Sequence, residues 1–172
     1  CLHDPCIHGM TVETLSYDDI RELCKDGSPL PPTLEAVLSE LGGRILFDLE
    51  IKIGNIEREV LDITNCFLTH QQFVITSFLD EVVHTVKSID PCVHAGLILG
   101  LKAPRPWLRR RVSELFPESR LRRCKADFVV PHHKLLRLGF LKRMNRGGWP
   151  VWTWTVNDKR LIKKLLSQHS IE

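Results

Sequence analysis

Apolar and polar positions alternate most regularly between Arg44 and Lys52. In an extended strand successive side chains point to opposite faces, so Phe47, Leu49 and Ile51 share one face and Asp48, Glu50 and Lys52 the other. An unbroken apolar row behind three consecutive ionisable groups suits two settings. One is a solvent-facing strand of an antiparallel sheet. The other is a barrel strand that lays its apolar face on helices and lines the barrel mouth with its polar face. The rest of the chain has to choose between them.

Upstream, Cys1 to His3 reads as the tail of a strand, and Asp4-Pro5 as the turn after it. Ser16 is placed to cap a helix from Tyr17 to about Cys24, and Thr33 to cap a second, Leu34 to Leu41, closed by Gly42-Gly43. Downstream the period switches repeatedly between 3.6 and 2. Helices are predicted at 55–68, 80–89, 107–116, 134–145 and 158–168, and strands at 73–76, 93–99, 126–130 and 151–156. Strand and helix therefore alternate five times, which predicts parallel strands joined by crossover helices and favours the barrel setting. No glycine-rich loop follows any strand, which weakens a nucleotide-binding open sheet. The expected fold class is α/β, and the absence of a linker predicts one domain over 1–172.

Composition narrows the function classes more than it selects one. At 172 residues, 43% hydrophobic and 26% charged, the chain is an ordinary globular sequence and not a disordered one. A net charge of +3 does not by itself call for nucleic acid, and none is expected as a partner. No run approaches the ~18 apolar residues of a membrane span. Six scattered cysteines read as reduced, mostly buried thiols, which favours a cytoplasmic location. The segment from Lys102 to Lys125 is rich in arginine and could meet an anionic lipid surface or nucleic acid, but Glu114 and Glu118 interrupt it and a solvated helix face plus loop is the ordinary explanation. Cys1, His3, Cys6 and His8 offer four zinc-type donors in eight residues, a spacing tighter than that of separated ligand pairs.

Five short motifs occur in order: Leu2-His3-Asp4-Pro5, Pro32-Thr33-Leu34-Glu35, Leu49-Glu50-Ile51-Lys52, Thr76-Ser77-Phe78 and Trp154-Thr155-Val156-Asn157. Together they resemble the glycerophosphodiester phosphodiesterase family, whose members are (β/α)8 TIM-type barrels. The resemblance implies an incomplete barrel, an internal piece with the first strands and the last strand missing, because the family's His-Arg-Gly, Glu-x-Asp and Thr-Asp-x-Pro segments do not occur. Cys6-Ile7-His8-Gly9-Met10 stands where the family often carries an arginine- and threonine-rich turn.

The implied reaction is metal-dependent hydrolysis of a glycerophosphodiester to glycerol 3-phosphate and an alcohol such as choline or ethanolamine, with a lysophospholipase D-like preference as the nearest alternative. The family is thought to attack first with a neighbouring substrate hydroxyl and then to hydrolyse a cyclic phosphate. By resemblance, Glu50 is a ligand of a divalent metal (Mg2+ or Ca2+), Lys52 the phosphate-side cation and His3 one of an acid–base pair. Trp154 is a candidate wall of the alcohol pocket, with core packing as the other reading. Asp48 is left outside the metal shell, Phe78 is assigned to the core, and His132-His133 read as an exposed turn after a strand. The other class of function is a non-catalytic module that binds phosphorylated head groups or an anionic membrane. Lacking one histidine and most metal ligands, the piece alone is expected to be almost inactive.

Overall fold

The computed structural model describes residues 1–100 and 112–167. The N-terminal segment forms a small antiparallel ribbon, β1 (Cys6–Ile7) with β2 (Met10–Thr11). Its two-residue turn places His8 at φ 48° and Gly9 at φ 79°. Two consecutive positive φ values make the type I′ geometry that matches strand twist. The strand expected at Cys1 to His3 is absent, and those residues are irregular.

Helix α1 (Tyr17–Leu23) begins at Ser16 with a capping box in which Ser16 and Asp19 satisfy each other's backbone amides. Helix α2 (Leu34–Leu41) starts at Thr33, whose hydroxyl accepts from the Ala36 amide at 3.1 Å. Four strands then build one parallel sheet: β3 (Phe47–Glu50), β4 (Phe73–Ser77), β5 (Ala95–Leu99) and β6 (Phe128–Pro131), in that order. The crossovers carry α3 (Glu57–Phe67), α4 (Asp80–Ile89) and α5 (Glu118–Cys124). Beyond β6 come α6 (Phe140–Gly147) and α7 (Lys159–Leu166).

The predicted strand at 151–156 is reduced to two parallel bridges, Val129 with Val151 and His132 with Trp154. This segment nevertheless occupies a fifth position in the sheet, since the Trp152 amide donates to Val129 and the Trp154 amide to Pro131. Two helix predictions also change. The 134–145 helix is split into a 3-10 turn, His133–Leu135, and α6, because Leu138 (φ 51°) and Gly139 (φ 68°) interrupt the right-handed path. The 107–116 helix lies partly outside the described residues, although 112–115 is helical, and α5 is a helix beyond those predicted.

The two faces of the sheet carry separate cores. On the outer face Phe47, Ile51, Ile75, Leu97, Leu99 and Val129 pack against the helices. The inner face holds Ile98, Phe128 and Val130, with Val74, Phe78, Trp152 and Trp154 packed on them. A parallel sheet covered by helices on one face, with a second apolar layer on the other, is the wall of a (β/α) barrel.

Candidate active site

The polar row of β3 stands on the inner face, at the sheet edge. Asp48 and Glu50 alternate with the more buried Phe47, Leu49 and Ile51, as the pattern predicts. Just past the carboxyl end of β3, Lys52 lies 3.9 Å (Nζ to Oε2) from Glu50. The same ammonium donates to the main-chain carbonyl of His3. Three of the residues singled out in the sequence, separated by 49 positions at most, therefore meet at one point. They line a cavity of about 720 Å3 with Asp48, Ile56 and Val60.

What arrives beside Lys52 is the backbone of His3. Its imidazole is turned outward, with the side chain 92% exposed, and Nδ1 hydrogen-bonds the Asp4 carboxylate at 2.8 Å. That contact orients the ring and leaves Nε2 as the nitrogen available to a ligand. The N-terminal segment is held in place by further long-range bonds. The Cys1 nitrogen donates to the Pro32 carbonyl and the Tyr17 hydroxyl to the Pro31 carbonyl at 3.0 Å.

Each residue of Thr76-Ser77-Phe78 acts on this rim. The Thr76 hydroxyl donates to Asp48 at 2.7 Å. Desolvation raises the Asp48 pKa above its ordinary value, the Thr76 bond opposing it. The buried Ser77 hydroxyl donates to the Ile51 carbonyl at 2.6 Å and accepts from the Leu79 amide at 3.1 Å, tying the end of β3 to the end of β4. Phe78 meets Trp154 edge-on, with centroids 5.6 Å apart.

Trp154 lies at the carboxyl end of the sheet too, but across it from Glu50, in the fifth position. Its indole N–H donates to the Val130 carbonyl at 3.0 Å, and its ring meets His132 edge-on at 5.3 Å. His132 and His133 stack with centroids 4.3 Å apart. Both are half-buried, so the exposed turn expected from sequence is instead part of an aromatic wall on the inner rim. Strand parity carried a signal for this: residues 74, 76 and 78 and residues 128, 130 and 132 fall on the face of Asp48 and Glu50.

Two other sequence constellations do not assemble as sites. Cys1, His3, Cys6 and His8 are not gathered into a ligand cluster among the described residues. Of the basic segment, Lys102, Arg105, Arg109, Arg110 and Arg111 lie outside the described residues. Arg120 is engaged with Asp80 through Nε at 3.0 and 3.1 Å, and Arg122 lies over Trp149 at 5.5 Å. Arg123 Nη2 is 3.6 Å from Asp80.

A divalent cation fits this rim in part. The Glu50 side chain is about one-third exposed, whereas Asp48 already accepts from Thr76 through Oδ1. One carboxylate is a sparse set for calcium, which takes six to eight oxygens, but magnesium is usually held by one or two carboxylates plus water and substrate phosphate.

No family model and no curated protein matches the chain. Solved structures do. A glycerophosphodiester phosphodiesterase from Parabacteroides distasonis superposes with a TM-score of 0.78 at 17% identity, over 99% of this chain and 70% of that one. The enzyme of that name from Agrobacterium tumefaciens gives 0.70 at 16%, over 99% and 74%. An Oleispira antarctica phosphodiesterase, in complex with the product sn-glycerol-3-phosphate, gives 0.72 at 16%, over 97% and 71%. At these identities the likeness speaks for architecture: the chain has the fold of the glycerophosphodiester phosphodiesterases, an α/β barrel wall of parallel strands spanning about seven-tenths of their length.

Proposed function

We propose that this chain supplies part of the active site of a metal-dependent phosphoric diester hydrolase acting on glycerophosphodiesters. The observation that carries the reading is the contact of Lys52 with both Glu50 and the His3 carbonyl at the carboxyl end of β3. That end of a barrel strand is where such folds place their chemistry. The solved neighbour with sn-glycerol-3-phosphate bound supports the substrate class.

In this reading the Lys52 ammonium neutralises the phosphodiester anion, and the cavity beside it receives the glycerol side. His3 carries a proton on Nε2, taking it from an attacking hydroxyl or giving it to the leaving alkoxide, while Asp4 holds the ring through Nδ1. Glu50 would hold a divalent cation, which when bound supplies further positive charge to the phosphoryl oxygens. Trp154 and Phe78 form an apolar wall for the alcohol.

The test is binding of glycerol 3-phosphate by calorimetry, beside its release from glycerophosphocholine and glycerophosphoethanolamine. Lys52→Met should weaken binding at least ~10-fold, as loss of a charge-assisted contact of about 1.5–3 kcal/mol implies. His3→Ala should leave binding nearly unchanged and reduce turnover ~10²–10⁴-fold wherever turnover is measurable. Unchanged binding in both Lys52→Met and Glu50→Gln would sink the reading. Binding that depends on Lys52, with no turnover in any chain containing these residues, would favour head-group recognition over catalysis.

A further inference from the structure

We infer that the opposite end of the sheet carries a second, transition-metal site made by His70, Asp90 and Cys92. These residues come from the loops that enter β4 and β5, at the amino ends of the strands, whereas Glu50 and Lys52 stand at the carboxyl ends. The inference is therefore independent of the phosphodiester reading. One imidazole nitrogen, one carboxylate oxygen and one thiol sulfur all lie within 4.8 Å of one another. His70 Nε2 already stands 2.9 Å from Asp90 Oδ2.

The spacing suits a small tetrahedral ion. With metal–ligand bonds of about 2.0–2.3 Å, tetrahedral donors sit ~3.3–3.6 Å apart, so the three atoms need only local side-chain adjustment. The donor set selects the ion. A nitrogen, an oxygen and a sulfur suit Zn2+ and disfavour magnesium and calcium, which take oxygen. A thiolate and a carboxylate bring two negative charges against the two positive charges of the ion, and binding releases the Cys92 thiol proton to solvent. His70 and Cys92 also line a cavity of about 600 Å3, from which water can complete the shell.

The loops are held as a site requires. Lys87 donates from Nζ to the carbonyls of Pro91 at 2.7 Å and Val93 at 2.9 Å, clamping the turn that presents Asp90 and Cys92. Asp127 fixes that ammonium at 2.9 Å. Within the turn the Cys92 amide donates to Asp90 Oδ1 at 2.9 Å, which leaves Oδ2 toward His70. On the other loop Gln72 brackets His70, its side chain accepting from the Thr69 amide at 2.9 Å and its amide donating to the Thr69 carbonyl at 2.9 Å. An ion here would pin the α3–β4 loop to the α4–β5 loop at the floor of the barrel wall, a structural role.

Cobalt(II) added to the purified, reduced protein tests it. The expected result is one equivalent bound, with thiolate-to-cobalt charge-transfer absorption and intense tetrahedral visible bands that Zn2+ abolishes. Cys92→Ser should remove the charge-transfer band, and His70→Ala, which deletes a direct ligand, should weaken binding by at least the ~10-fold that loss of an outer-shell partner costs. A Cys1→Ser/Cys6→Ser variant should keep both features. Zn2+ should raise the melting temperature of the wild-type chain and of that double variant, but not of Cys92→Ser. A weak octahedral spectrum without thiolate absorption, bands that persist in Cys92→Ser, or bands lost only with Cys1 and Cys6 would each overturn the assignment.

Discussion

Thr76 donates its hydroxyl hydrogen bond to Asp48 across β3 and β4, at 2.7 Å. This contact explains why two carboxylates on the same strand face differ. Asp48 accepts from Thr76 and is partly desolvated, while Glu50, one step nearer the rim, lies beside Lys52.

A pH-dependent stability follows from that environment. Desolvation raises the pKa of Asp48 in the folded chain, so the folded state binds more protons than the unfolded one between the two values, and stability falls as pH rises through them. Asp48→Asn keeps an acceptor for Thr76 and removes the partly desolvated charge. It should melt higher than wild type at pH 7, with the gain shrinking as pH falls toward the ordinary carboxylate value of 3.8. Thermal melts of both proteins over that range check the sign, and a gain that grows in acid would contradict it.

Ser77 is the fastener between β3 and β4 at the rim. Ser77→Ala leaves the Ile51 carbonyl without this donor in a buried setting and should cost about 1–3 kcal/mol in urea unfolding. Because Lys52 follows Ile51 directly, glycerol 3-phosphate binding should weaken in the same variant even where it remains fully folded.

Gly96 is required by a close approach. A β-carbon there would stand 2.3 Å from the Phe128 ring on the neighbouring strand. Gly96→Ala should destabilise by about 1–3 kcal/mol, the usual range for overpacking. Adding Phe128→Leu should recover part of that loss, giving a non-additive double-mutant cycle; simple additivity would place the cost elsewhere.

Thiol labelling separates the six cysteines. Cys1, Cys6, Cys66 and Cys92 are exposed, and Cys24 and Cys124 are buried. Burial also pushes the Cys124 thiol up to about 11, which leaves on the order of one thiolate in a thousand at pH 8. Four sites should alkylate in the native protein and two only on unfolding, by intact-mass spectrometry. Zn2+ should selectively protect Cys92.

Much of the scaffold was legible because local rules and tertiary context agree. Ser16 and Thr33 cap the helices their side chains predict, and Leu34–Leu41 and Asp80–Ile89 have the predicted bounds. Where local rules were weak the boundaries moved. Trp152 and Trp154 donate backbone bonds to β6 like strand residues, yet the segment makes only isolated bridges. The His8-Gly9 turn has only a glycine in second position as its local signal.

For the site, alternation along Arg44 to Lys52 by itself determined which residues share a face, because side-chain direction in a strand is a local property of the backbone. The sequence also determined the repeated strand–helix order, from which a parallel sheet follows. Only the tertiary structure decided that the His3 backbone meets Lys52 while its ring turns outward. It alone decided that His132 joins an aromatic wall with Trp154, and that His70 faces Asp90 and Cys92 from another loop. Those relations depend on where separate crossovers deliver residues dozens of positions apart, and strand or helix periodicity holds no information about that distance.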